Sequence, residues 1–175
     1  YALKTSDGTE RWSLATDAAV ASSPALSSDG ATVYVGSGDK KVYALKTSDG
    51  TKRWSFATGV GVQSAPAVSS DGATVYVGSG DSNVYALKTS DGTVRWSFAT
   101  GDAVESSPAL SSDGATVYVG SFDKNVYALK TSDGTKIWSF ATGGQGCSSP
   151  AVSSDGATVY VGSGDNNVYA LKTSD

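Results

Sequence analysis

Asp39, Asp81, Asp123 and Asp165 recur at one constant interval, each just past a Gly-Ser pair and one further residue. Carboxylates recurring at one place in a repeat would form a ring of negative charge if the repeats were arranged about an axis. Such a ring could attract a cation or a basic partner. The competing use is local: an Asp in a tight turn accepts hydrogen bonds from backbone N–H groups nearby. At a second place the copies diverge, with Gln63, Glu105 and Cys147 replacing Ala21. These three would supply a polar pocket if they face a common channel, and drift at a solvent-facing loop if they do not. Phe122 stands where the other copies have Gly38, Gly80 and Gly164. It is either an aromatic binding anchor or a cover for a sheet edge. These eight residues are the candidate binding set.

Other chemistry is excluded by what the chain lacks. With no histidine, the commonest general base and metal ligand is absent, and a Ser-His-Asp arrangement cannot be assembled. Cys147 is the only cysteine, so no internal disulfide forms. Without a histidine to activate it, Cys147 reads as a bystander rather than a nucleophile. No catalytic residue, metal centre or cofactor is expected, and the chain is not read as an enzyme. The Gly-Ser-Gly stretches at Gly36 and Gly78 have the look of a phosphate loop, but no helix follows them. A net charge of -4 without a basic cluster argues against a nucleic-acid partner. No apolar run approaches the ~18 residues of a membrane span.

The elements that must position these residues follow from the period. Tyr1, Tyr43, Tyr85, Tyr127 and Tyr169 are evenly spaced, and the tryptophans and prolines keep the same spacing. Four repeats, 1–42, 43–84, 85–126 and 127–168, plus a partial repeat 169–175, form a single array. Each period contains four short strand candidates, exemplified by 22–27, 32–36, 42–46 and 53–58. β-Branched and aromatic residues dominate the middle two, and no segment carries a helix-length apolar stripe. Asp29-Gly30 and Asp49-Gly50 are turn signals, since Gly accepts the positive φ that such turns require. Four antiparallel strands in each repeat predict an all-β fold, a β-propeller of four-stranded blades. The copies do not vary over 1–9 or 27–37. They vary in the link from blade to blade and in the turn between the second and third strands. An antiparallel meander puts both variable segments on one face, where a rigid scaffold commonly carries function.

The phrase Ala44-Leu45-Lys46-Thr47-Ser48-Asp49-Gly50-Thr51-Lys52-Arg53-Trp54 resembles the tryptophan-docking motif of pyrroloquinoline quinone (PQQ) type propeller repeats, and Val33-Tyr34-Val35-Gly36-Ser37 followed by Asp39 fits the same pattern. The resemblance covers the whole chain. It implies that Trp12, Trp54, Trp96 and Trp138 pack between neighbouring blades. It also implies an extracellular or periplasmic location. The family includes quinone-dependent dehydrogenases that hold the quinone with calcium, often near a vicinal cysteine pair. This chain has no adjacent cysteines and nearly uniform blades, so that activity is not expected here.

The chain begins and stops inside the same phrase. The strand phrase YALKT occurs at both ends, at 1–5 and 169–173. The fourth strand missing from the last blade has its equivalent near the N-terminus, at 11–16. Closure through a blade shared between the termini is therefore expected, either as a four-bladed monomer or as a strand-exchanged homodimer of eight blades. The surplus strand suggests a window on a longer array, or an engineered or self-assembling piece. Uniform blades suit recent duplication or design from one blade. The leading expectation is a non-catalytic scaffold or interaction module with itself or another protein as partner. The alternative is a carbohydrate- or small-ligand-binding propeller with repeated shallow sites.

Overall fold

The computed structural model describes residues 1–174, which are all β with no helix among them. A two-stranded hairpin comes first, β1 (Ala2–Leu3) and β2 (Glu10–Trp12). Sheet I follows with β3 (Ala25–Leu26), β4 (Thr32–Ser37), β5 (Lys41–Lys46) and β6 (Lys52–Ala57). Sheet II holds β7 (Ala67–Val68), β8 (Thr74–Gly78), β9 (Asn83–Lys88) and β10 (Val94–Ala99). Sheet III holds β11 (Ala109–Leu110), β12 (Thr116–Gly120), β13 (Asn125–Lys130) and β14 (Lys136–Ala141). Sheet IV has three strands, β15 (Ala151–Val152), β16 (Thr158–Gly162) and β17 (Val168–Lys172). Neighbours in the chain pair antiparallel in every sheet.

The first strand of each sheet is shorter than the sequence predicts; in sheet I it covers Ala25–Leu26 alone, against an expected 22–27. Its leading residues spend their hydrogen bonds elsewhere. The Ser22 hydroxyl donates to the Ser64 carbonyl of the next repeat at 3.0 Å and accepts from Gly36 N–H at 3.1 Å. Pro24 has no N–H to give. The Asp-Gly turns behave as expected in backbone sign, with Gly30 at φ 68 and Gly50 at φ 73. They are wider than a two-residue hairpin: Ser27 N–H reaches Thr32 O, and Gly50 N–H reaches Lys46 O. Between the second and third strands the left-handed residue is not glycine but Lys40, Ser82, Lys124 or Asn166.

The core lies between sheets rather than within one. Tyr34, Val42, Ala44 and Trp54 of sheet I pack against Val75, Val77 and Leu87 of sheet II. Tyr76, Val84, Ala86 and Trp96 of sheet II meet Val117, Val119, Tyr127 and Leu129 of sheet III in the same way. Tyr118 and Ala128 of sheet III meet Val159 of sheet IV, and Val126 meets Val161. The central strands are thus apolar on both faces because both are covered. Each fully buried valine or leucine contributes about 1.5–3 kcal/mol relative to exposure.

The expected sharing of one sheet between the termini is not what a single chain does. β2 pairs with β1, and among the described residues no strand pairs with the outer edge of β17. The reason is local: β1 already fills the third-strand place beside β2, through the turn that Gly8 makes at φ 70. Closure as a four-sheet monomer is therefore absent among the described residues.

Candidate functional site

The two variable segments do share one end of the molecule, and they are bonded to each other there. Gly38 N–H donates to Ala19 O at 2.8 Å, Gly80 to Gly61 O at 3.1 Å, Phe122 to Ala103 O at 2.9 Å and Gly164 to Gly146 O at 3.1 Å. The link entering each sheet thus lies along the turn between that sheet's own middle strands. Val62 N–H to Ser37 O and Val104 N–H to Ser79 O tie the two middle links back to the preceding sheet.

The repeating aspartates sit inside this lattice. Asp81 accepts from Gly59 N–H at 2.7 Å and from the Tyr85 hydroxyl at 2.9 Å. Asp123 accepts from Gly101 N–H and Tyr127, each at 2.7 Å. Asp165 accepts from Gly143 N–H at 2.6 Å and Tyr169 at 2.7 Å. Asp39 accepts from Tyr43 at 2.6 Å and more loosely from Asp17 N–H at 3.3 Å. Asn83 and Asn125 add amide bonds to Asp81 and Asp123. Lys41 replaces that asparagine in the first repeat, and Asp39 Oδ1 is left without a hydrogen bond. Each carboxylate therefore clamps the link to a tyrosine of the third strand. The use is local in kind, as turn chemistry suggested, but it reaches beyond the turn, from Asp81 back to Gly59 in the preceding link.

Electrostatics follow from these contacts. Burial works to raise the carboxyl pKa of Asp81 and Asp123, but the accumulated hydrogen bonds outweigh it and hold both below the usual value. The Tyr169 bond leads the set that brings Asp165 down to about 2. On the other side of the pair, burial and then the Asp81 bond push the Tyr85 hydroxyl up to about 12. Tyr127 moves the same way for the same reasons.

The remaining candidates scatter. Gln63 is exposed and Glu105 is half-buried. Cys147 does not face a channel: it is buried against Gly120, in the place that Val62 and Val104 take against Gly36 and Gly78. The valine of that position is Gly146 in the last link, which lets the chain turn at φ 72 and bring the next side chain inward. Burial pushes the Cys147 thiol up. Phe122 is half-buried and lies over that same Gly146. Comparing the copies marks the position but not the one-residue shift. Gly146 is the signal that could have found it.

The tryptophans hold one sheet to the next. The indole N–H of Trp54 donates to Thr89 O at 2.8 Å, and that of Trp96 to Thr131 O at 2.8 Å. The Trp54 ring lies where a Cβ on Gly92 would be, 2.6 Å away, and Trp96 does the same over Gly134. Within its own sheet each ring leans on a tyrosine, Tyr34–Trp54, Tyr76–Trp96 and Tyr118–Trp138, all at 5.8 Å between centroids. Trp12 reaches Thr47 O at 2.9 Å and lies over Gly50 in the same manner.

The residues fit a quinone–calcium centre poorly. The aspartates are engaged by backbone and tyrosine, and among the described residues no three of Asp, Glu and Cys stand together as a metal site.

Repeated antiparallel sheets, with Trp12, Trp54 and Trp96 each seated on a glycine of the following sheet and Trp138 reaching Thr173 O at 3.3 Å, define a PQQ-type repeat protein. The chain belongs to the family described as outer membrane protein assembly factor BamB, whose model matches residues 1–112 and 100–175. No curated protein matches it.

Proposed function

We propose that the chain is a β-propeller module without catalytic activity, acting as a scaffold for protein–protein interaction. The observation that carries this reading is the fate of the loop-face carboxylates. Each one holds a link and a tyrosine in place, so the repeated acidic position builds a rigid rim instead of offering ligands. A rim of that kind presents its variable residues, Gln63 and Glu105 among them, as a surface. The family description, an outer membrane protein assembly factor, makes a protein chain the favoured partner over a small molecule.

The test uses purified outer-membrane β-barrel chains held unfolded in urea and diluted into the protein, with complex formation read by light scattering. A saturable complex that weakens when Gln63 and Glu105 are both changed to Ala supports the scaffold. Glycan binding with one site per repeat would overturn it in favour of a carbohydrate-binding propeller. A thermal shift on adding quinone with calcium would overturn it in favour of an enzyme.

A further inference from the structure

The two ends of the array are two halves of the interface that recurs inside it. On sheet IV, Tyr160 is 46% exposed and Val168 79% exposed, whereas Tyr34, Tyr76, Tyr118, Val42, Val84 and Val126 are at most 3% exposed at the same positions. Tyr160 has no tryptophan beside it. Gly162 has no valine over it, and a pocket of about 440 Å³ opens there between Gly146, Gly162 and Val168. At the other end, Val20 is 49% exposed while Val62 and Val104 are fully buried. Trp12 has no second-strand tyrosine in its own two-stranded sheet to lean on, and with Tyr1, Leu14, Val20, Val33 and Val35 it lines an apolar cavity of about 480 Å³. What one end lacks, the other end displays.

We propose that a second copy of this chain docks head to tail on these faces. Val20 of one copy enters the slot over Gly162 of the other, and Trp12 comes to rest beside Tyr160. The occupant is specified by continuity with the internal interfaces, since the residues at both ends repeat those that meet between sheets I and II. The surplus strand fits the same scheme. β1 and β17 carry the same phrase, YALKT, and compete for the place beside β2. β1 holds it with only two register pairs, Ala2 with Trp12 and Leu3 with Glu10, and Tyr1 is 90% exposed. The register of β5 on β6, with Ala44 opposite Trp54 and Val42 opposite Phe56, puts Ala170 opposite Trp12 and Val168 opposite Leu14. β17 of one copy therefore takes the place of β1 in the other and gains a longer ladder. Unpaired strand edges and apolar faces both disappear. Each contact pairs two different surfaces, and closing two copies into a ring makes two such contacts, equivalent by the two-fold axis.

Light scattering on the intact chain at about 100 µM reads the association directly. The expected mass is twice the chain's 17.7 kDa, falling to one chain mass on dilution. Val20→Asp and Val168→Asp each place a charge on an end that is already exposed in a single copy. Each keeps the Trp fluorescence of the parent fold and weakens association on the order of 100-fold. Mixed in equal amounts they associate again, because one retains the Tyr160 end and the other the Val20 end. Ala2→Pro weakens β1 and tightens the dimer several-fold. A single chain mass at every concentration, dimers persisting in either Asp variant alone, or failure of the mixture to associate would overturn head-to-tail docking. Unchanged or weaker association in Ala2→Pro would overturn the strand exchange.

Discussion

Gly92 is held by two independent demands. Its φ of +75 lies in the left-handed region, and a Cβ there would meet Trp54 Cε3 at 2.6 Å. Gly92→Ala is expected to lower stability by about 2–4 kcal/mol, combining backbone strain with forced displacement of a packed ring. Trp54→Ala should cost about 3–5 kcal/mol. Chemical denaturation of each variant and of the double variant checks the shared origin: the double should lose less than the sum, because the clash vanishes with the ring. Ser82 makes a contrast. It also has a positive φ, at 68, but its neighbours do not demand a glycine, so Ser82→Gly relieves strain and is expected to raise the melting temperature. Cys147 supplies a third residue-level expectation. Buried against Gly120 with its thiol pKa raised, it should react with a thiol reagent at the rate of local opening and reach the rate of a free cysteine only in denaturant.

Among the elements, the link between sheets depends on ionisation. The aspartates that clamp it have folded pKa values below the ordinary 3.8, with Asp165 at about 2. A depressed folded pKa stabilises above the unfolded value, and that contribution drains away as pH falls from about 4 towards 2. Tyr85 runs the opposite way. Its folded pKa is about 12 against an ordinary 10.0, so its contribution is complete below pH 10 and is lost as pH rises towards 12. Thermal melting across pH should therefore show loss at both ends, and Tyr85→Phe should flatten the alkaline arm. A variant whose alkaline arm is unchanged would show that the pairing contributes little. These clamps also mark what the sequence made legible. The strands and glycine turns could be read because Val-Tyr-Val-Gly and Asp-Gly are local signals, set by propensity and backbone sign. The tyrosine–aspartate bond across Asp81 and Tyr85 spans a turn whose left-handed residue is Ser82, and nothing in residue type announces it. The inward turn of Cys147 was hidden for a similar reason, since it follows from Gly146 shifting the chain by one residue.

For the whole molecule, burial between sheets makes stability a property of neighbours. A sheet with both faces covered gains two interfaces, while a terminal one gains a single interface, as in other quasi-one-dimensional arrays. Sheet II fits the first case, with Val75, Val77, Val84, Ala86 and Leu87 all inaccessible. Sheet IV fits the second, with Val159 and Val161 covered but Tyr160 and Val168 open. Amide hydrogen exchange in dilute solution should accordingly be slowest in β8, β9, β12 and β13, and fastest in β1, β2 and β17. The gradient carries a further consequence. If the sheets unfolded as one unit, β17 amides would share the protection of β9; a single uniform exchange rate across the strands would remove the neighbour-dependent account of this fold. On the head-to-tail docking proposed above, raising the concentration should then slow exchange in β17 and β2, since a second copy would cover that face and pair β17 with β2, while the protection of β9, already complete, has nothing to gain.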